Sequence, residues 1–229
     1  MLGGFAALDD PDVRASRRVL AALAPPPDFK GADVAAGIGR VAKHVLLAGG
    51  AGAVDVLERS RPLLEAAPAF VDAPAEAGGV PVGGRAGRCR FIASSFEDWA
   101  PPPRAYDVIW AQWCVGHLTD AHFVRFLARC RAGLKAGGAL VIKDNCLRGL
   151  AAAGAALGDE AFVVDDDDRS VCRSRAYFRA LFDDAGATVV DERQQTTAAG
   201  DAEAFPDDIY PVLTWALKWP PAAAAAADA

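Results

Sequence analysis

Apolar residues along the chain occur in short runs that alternate with longer stretches of helical periodicity. Seven such runs predict β-strands, and the first five are rich in Val and Ile and apolar on both faces. Strands of that kind are typical of a parallel sheet covered by helices on each side. The predicted strands are 32–35, 53–57, 89–93, 106–112, 139–143, 188–192 and 209–217.

Helical spacing of apolar residues appears between these strands. It predicts helices over 40–47, 121–134 and 174–185. Either Thr119 or Asp120 can cap the start of the second helix. Alternating strands and helices predict an α/β fold of the Rossmann-like, doubly wound type, with a mostly parallel seven-stranded sheet and helices on both faces.

Three segments carry few structural signals. The Ala-, Gly- and Pro-rich stretch 68–88 is interpreted as a surface excursion, and 147–160 as either a loop insertion or a short helix. The alanine-rich tail 220–229 is expected to be disordered. We therefore expect one domain over residues 1–219.

Composition narrows the functional classes. The chain has 229 residues, with 24 Lys and Arg against 30 Asp and Glu, so its net charge is −6. That balance argues against sequence-independent nucleic-acid binding. Five scattered cysteines form no CxxC motif, which favours reduced thiols in an intracellular compartment. The sequence predicts no metal site, no membrane span and no secretory signal.

The first strand runs into a glycine-containing turn, AAGIGR, that precedes a helix. Such a turn lets backbone N–H groups approach a ligand closely. The second strand is expected to end near Asp55, whose carboxylate would accept hydrogen bonds from ribose hydroxyls. The spacing differs from GxGxxG and is closer to the turn of S-adenosylmethionine (AdoMet) enzymes, with Ala35 at the first glycine. A tight turn without a ligand is the alternative.

Aromatic and acidic residues follow the third strand. Phe96 could pack on an adenine ring while Glu97 accepts a hydrogen bond from its amino group. The alternative is that Phe96 and Trp99 are core residues, and for Trp99 we prefer it.

The most informative stretch follows the fourth strand. Gln112, Trp113 and His117 come where open α/β sheets bind ligands. The amide can bond a polar group, the indole can hold a cation or a proline ring, and the imidazole can accept a proton. A structural histidine is the alternative for His117.

An acidic run of four aspartates occupies 165–168. Runs of this kind usually form a solvated loop, and no EF-hand pattern continues it. The run could also form an anionic lip that attracts a basic substrate and takes up a proton.

Together these motifs resemble the α-N-terminal protein methyltransferases, which methylate the free amino terminus of proteins that begin Xaa-Pro-Lys or Xaa-Pro-Arg. The resemblance is carried by AAGIGRVAKHVLL, YDVIWAQWCVGHLTD, LVIKDN, DDRSVCR and DDIYPV, and it extends from the LGG at 2–4 to about residue 217. It implies a class I AdoMet-dependent methyltransferase fold, AdoMet as cofactor with S-adenosylhomocysteine as product, and basic protein N-termini as partners, with no nucleic acid or membrane.

The resemblance also implies roles for individual residues. His117 and Asp168 match general bases, and Asn145 matches a residue that hydrogen-bonds the peptide terminus. The matching cofactor positions are Ala35, Gly37, Gly39, Arg40, Asp55, Val56, Leu57, Phe96, Glu97 and Gln112.

The peptide groove is the second implied site. Trp113 matches the residue that packs on the proline at position two, and the acidic run lines the path of the third-position Lys or Arg. The matching substrate positions are Leu2, Trp113, Asp165, Ser170, Ile209 and Tyr210.

Three features depart from the family pattern. Alanine replaces glycine at 35, the spacing between Asn145 and Asp168 is longer than usual, and the lid segment expected before LGG is missing from this sequence. The alternatives are a small-molecule N-methyltransferase, a catalytically impaired AdoMet-fold binding protein and a nucleotide-dependent oxidoreductase. Family analogy implies the cytoplasm and nucleus as location.

Overall fold

A computed structural model describes residues 6–73, 84–147, 161–207 and 209–220. Within them, the strands are β1 Lys30–Val34, β2 Ala53–Glu58, β3 Cys89–Ala93, β4 Tyr106–Gln112, β5 Leu134–Asn145, β6 Phe162–Asp165, β7 Ser170–Arg173, β8 Thr188–Gln194 and β9 Val212–Lys218. The α-helices are α1 Asp9–Leu23, α2 Arg61–Asp72, α3 Asp120–Gly133 and α4 Arg175–Asp184.

Seven strands form one sheet in the order β3-β2-β1-β4-β5-β9-β8. The strands β1 to β5 pair in parallel, whereas β9 is antiparallel to both β5 and β8. The doubly wound, mostly parallel fold is thus confirmed. Because β1 lies between β2 and β4, the direction in which successive strands are added reverses there, and sheets of this kind bind ligands in a crevice at the carboxyl ends of the strands beside that point.

Apolar cores lie on both faces of the sheet. On one face α3 and α4 contribute Phe123, Phe126, Phe178 and Phe182, and the last two pack against Trp215 of β9. On the other, Val19 and Leu20 of α1 pack with Leu46 and with Trp110 of β4. Strands that are apolar on both faces predicted this burial on both sides of the sheet.

The structure contains three elements that the pattern analysis does not predict: α1, α2 and the two-stranded hairpin of β6 and β7. Helix α2 extends to Asp72 and includes Pro68, so the start of the expected surface excursion is helical. The last strand begins at Val212 rather than at 209. The segment 74–83, residues 148–160 of the expected insertion, and the tail beyond Pro220 lie outside the described residues.

The helical turn after β1 also differs in type. Residues Ala42–Leu47 form a π-helical turn instead of the expected α-helix. Among the residues described, no helix has the length and apolar character needed to span a membrane.

Side-chain caps define where α3 and α4 begin. The Thr119 hydroxyl accepts from the backbone N–H of His122, so Thr119 is the cap, and Asp120 instead forms an ion pair with Arg173. The Ser174 hydroxyl accepts from the backbone N–H of Tyr177 at 3.2 Å. Both caps satisfy N–H groups that lack a partner within the helix.

Ser174→Ala should lower the free energy of unfolding by about 1 kcal/mol, because it removes the cap of a buried helix start. Urea-induced unfolding followed by circular dichroism measures this change. The matched control is Ser60→Ala, since Ser60 occupies the same position before α2 without a side-chain cap bond. Its expected loss is under about 0.5 kcal/mol. Equal losses for both variants would contradict the assignment.

Candidate active site

The turn between β1 and the π-helical turn contains several residues with left-handed backbone. Gly37 and Gly39 have φ values of 57° and 83°, and Ala35 has a φ of 54°. A Cβ at Gly39 would lie 3.2 Å from Val71, so that position has both a conformational and a steric need for glycine. Ala35 adopts its conformation at a cost of about 1 kcal/mol. The turn therefore accommodates alanine at position 35 in the left-handed conformation.

Asp33, the second-last residue of β1, holds this turn by a hydrogen bond. Its buried carboxylate accepts a hydrogen bond of 2.8 Å from the backbone N–H of Ala42. Burial raises the pKa of Asp33 to about 7. The side chain thereby ties the start of the π-helical turn to the sheet.

The acidic residue at the carboxyl end of β2 is Glu58. One of its oxygens accepts from the backbone N–H of Gly37 at 2.9 Å, and the other accepts from that of Ser60 at 2.7 Å. Glu58 therefore lies directly against the glycine turn. The sequence pattern does not single out Glu58, because the predicted strand 53–57 stops one residue before it.

The prediction that β2 ends near Asp55 is wrong. The strand continues through Glu58, which pairs with Ala93 of β3. The Asp55 carboxylate accepts from the Arg90 guanidinium and from the Tyr106 hydroxyl at 2.5 Å. The structure therefore does not bring Asp55 to the glycine turn.

The two residues after Asp55 are buried within β2. Val56 and Leu57 have almost no exposed surface, and the Leu57 carbonyl accepts from the backbone N–H of Ala36 at 2.9 Å. Both therefore belong to the packing and hydrogen bonding that hold the turn against β2.

Arg40 and Gln112 meet at the crevice. A guanidinium nitrogen of Arg40 and the amide nitrogen of Gln112 lie 2.6 and 2.8 Å from the same carboxylate oxygen of Asp12. The Arg40 guanidinium also lies 5.5 Å from the centre of the Trp113 ring. Two predicted cofactor residues and a predicted peptide residue are thus brought together, and Asp12 is an unpredicted partner.

Two aromatic residues of the loop after β3 are buried in the core. Phe96 is buried and packs edge-on against Phe126 at 5.7 Å, and Trp99 is buried against Tyr106. Glu97 is exposed, and Arg129 donates to the carbonyls of Phe96 and Glu97. The core interpretation of Trp99 is therefore correct, and Phe96 also contributes to the core.

An apolar wall surrounds Trp113. The half-buried indole packs with Ile209 against the buried cluster of Leu8, Phe205 and Val212. Trp113 has a φ of 51°, and its backbone N–H donates to the Lys143 carbonyl at 2.8 Å. Of two further predicted groove residues, Tyr210 is exposed, and Leu2 lies outside the described residues.

His117 lies on a short 3₁₀ turn, Val115–His117, that is held by Asp144. The buried Asp144 carboxylate accepts from the backbone N–H groups of Val115 and Asn145 at 3.0 and 2.8 Å. Burial raises the pKa of Asp144 to about 6. Asn145 itself has an exposed side chain at the carboxyl end of β5.

The β6–β7 hairpin docks on this turn. Arg173 is buried, and its guanidinium donates to the carbonyls of Val115 and Leu118. A Cβ at Gly116 would lie 3.3 Å from the Val171 carbonyl, so the two segments are in close contact. The hairpin is therefore fixed relative to His117.

The acidic run forms the tip of that hairpin. Asp165 accepts from the backbone N–H of Asp167, and Asp168 accepts from that of Ser170 at 2.8 Å. Hydrogen bonds from Ser170 lower the pKa of the exposed Asp168, with a smaller contribution from His117. The run thus presents anionic side chains to solvent beside His117. Among the residues described, no group of His, Cys, Asp and Glu side chains is arranged to hold a metal ion.

Comparison with known proteins decides the family. The sequence profile of the "AdoMet dependent proline di-methyltransferase" family matches residues 1–218. The chain belongs to this family. Its members share the cofactor named in that description, and the glycine turn, Glu58 and Gln112 lie where a parallel α/β sheet binds such a nucleoside.

Individual relatives agree with this family assignment. N-terminal Xaa-Pro-Lys N-methyltransferase 1 from Rattus norvegicus is 34% identical over 95% of this chain and 87% of the relative, and the Homo sapiens protein of that name gives the same three values. A solved SAM-dependent methyltransferase from Leishmania major superposes with a TM-score of 0.74 at 34% identity, covering 95% of this chain and 75% of that one.

If Glu58 accepts hydrogen bonds from the ribose hydroxyls, Glu58→Gln should weaken the binding of S-adenosylhomocysteine by about tenfold or more, because the charged acceptor is lost. Isothermal titration calorimetry measures the dissociation constant. Asp55→Asn is the matched control and should stay within about threefold of the wild type. If the Asp55 variant lost as much affinity as the Glu58 variant, the ribose contact would belong to Asp55, as the sequence predicts.

Proposed function

We propose that the protein transfers methyl groups from AdoMet to the free α-amine of proteins that begin Xaa-Pro-Lys or Xaa-Pro-Arg after removal of the initiator methionine. The observation that carries this proposal is the docking of the acidic hairpin tip beside His117, at the same sheet edge as the glycine turn and Trp113. The names of the rat and human relatives state an N-terminal Xaa-Pro-Lys substrate, which supports the lysine part of this proposal.

The residues of the crevice fit AdoMet chemically. The backbone of Gly37 and Gly39 allows close approach, the Glu58 carboxylate suits two vicinal hydroxyls, and Gln112 and Arg40 supply further polar contacts. When bound, AdoMet supplies an electrophilic methyl group on a sulfonium. We assign the ribose contact to Glu58 in place of Asp55.

The amine must lose its proton before it attacks the methyl carbon. A free α-amine has a pKa of about 7.7–8.0, so a sizeable fraction is neutral near pH 7. In the proposed roles, Asn145 orients the amine, and His117 or Asp168 accepts the remaining proton directly or through water. The lowered pKa of Asp168 keeps it anionic, which suits it to hold a cationic amine nearby but makes its carboxylate a weaker base.

Specificity follows from two neighbouring surfaces. The indole of Trp113, with the apolar cluster behind it, suits the ring of a proline at position two. Asp165, Asp168 and Ser170 at the hairpin tip suit a Lys or Arg at position three. Exposed carboxylates also speed the approach of basic peptides in a salt-dependent manner.

The decisive experiment compares three peptides that start Xaa-Pro-Lys, Xaa-Ala-Lys and acetylated Xaa-Pro-Lys. Mass spectrometry after incubation with AdoMet should show methyl additions on the first peptide and little or none on the others. Methylation of all three, or of none while small amines are methylated, would favour a small-molecule enzyme. Binding of S-adenosylhomocysteine without any methyl transfer would favour a catalytically impaired binding protein.

Asp168→Asn should lower kcat for the Xaa-Pro-Lys peptide by about tenfold or more and leave the dissociation constant of S-adenosylhomocysteine within about threefold, because the residue faces the peptide side of the site. Steady-state kinetics and calorimetry measure the two effects. Asp166→Asn is the matched control in the same acidic run. Equal losses of kcat in both variants would show that overall charge, and not Asp168, matters.

A further inference from the structure

Helix α1 carries a fully buried carboxylate into the crevice. Asp12 has no exposed surface, and its oxygens lie 2.5 Å from the Lys143 ammonium and 2.6 Å from the Arg40 guanidinium. They also lie 3.0 and 2.8 Å from the amide nitrogen of Gln112. One side chain of α1 therefore contacts the turn after β1 and the carboxyl ends of β4 and β5.

The partners of Gln112 determine which way its amide points. The Asp12 carboxylate only accepts hydrogen bonds, so it must face the Gln112 nitrogen. The indole nitrogen of Trp110 only donates, and it lies 3.0 Å from the Gln112 oxygen. A flipped amide would place two donors together and two acceptors together. Asp12 and Trp110 thus select one orientation of Gln112.

The charges in this cluster depend on one another. Lys143 is buried completely, and burial lowers its pKa while Asp12 opposes that shift. Burial acts to raise the pKa of Asp12, but the Lys143 and Arg40 cations lower it overall. Asp12 therefore remains an anion that contacts both cations, and the Arg40 guanidinium pairs with Asp9 as well, at 3.1 Å. Without that charge, Arg40 and Lys143 would repel each other at the edge of the crevice.

We propose that Asp12 is a positioning residue for the methyl-donor site, which orients the Gln112 amide and holds the Arg40 guanidinium beside the glycine turn. Donor binding then depends on the docking of α1 against the sheet. This inference rests on the proposed function only in so far as Gln112 and Arg40 contact the donor. It assigns no contact between Asp12 and the donor itself.

The first test measures S-adenosylhomocysteine binding by calorimetry in Asp12→Asn. We expect affinity to fall by about tenfold or more, the effect of one charge-assisted hydrogen bond. The matched control on the same helix is Asp10→Asn, because Asp10 is exposed and pairs with Arg14. Its affinity should stay within about twofold of the wild type. Unchanged affinity in Asp12→Asn would overturn the proposal.

A double-mutant cycle separates positioning from general destabilisation. Because Asp12 is proposed to act through both Gln112 and Arg40, the affinity loss caused by Asp12→Asn should shrink to about threefold or less in a background that combines Gln112→Ala with Arg40→Ala. Fully additive losses would overturn the proposal. Thermal unfolding of the ligand-free variants gives the accompanying change in stability.

A charge-balanced variant covers the case in which Asp12→Asn fails to fold. Asp12→Leu combined with Lys143→Met replaces the buried ion pair by apolar side chains of similar size, which proteins often tolerate. It leaves Gln112 and Arg40 without their shared anion, so donor affinity should still fall. A folded double variant with wild-type affinity would overturn the proposal. Absence of binding by the wild type would instead count against the proposed function.

Discussion

The parallel pairing of β1 with β2 and β4 is the constraint on which the whole site depends. It brings the carboxyl ends of three strands to one edge, where the glycine turn, Glu58 and Gln112 are neighbours although they are distant in sequence. The parallel pairing of β4 with β5 adds Asp144 and Asn145 to the same edge. The order and direction of the strands alone thus bring these residues to one edge of the sheet.

Two further elements are attached to this edge, and each is held by a buried ion. Arg173 fastens the acidic hairpin by donating to main-chain carbonyls around His117 and to Asp120. Asp12 fastens α1 by accepting from groups on three other segments. Burying an ion is costly unless its partners are in place, so these contacts favour one docked geometry over loosely attached alternatives.

Sequence pattern predicted the sheet well because burial on both faces leaves a direct trace in apolar runs. The bounds of β3 and β4 agree fully with the prediction. The sequence pattern does not show where β2 ends. The segment AVDVLE contains two acidic residues, and only the pairing of Glu58 with Ala93 shows which of them lies at the end of the strand. The pattern also missed α1, because the buried Asp12 looks like one of several charged surface residues in that stretch.

The acidic residues separate into classes that sequence alone does not distinguish. Asp33 and Asp144 are buried, accept hydrogen bonds from backbone N–H groups and have raised pKa values. The pKa of Asp12, in contrast, is lowered by adjacent cations. These three act within the fold, since each is buried and bonded to groups of the fold itself. The aspartates of the hairpin tip are exposed and bonded only to their own turn among the contacts described. Under the proposed function, these exposed carboxylates are the charges that complement a cationic peptide beside His117.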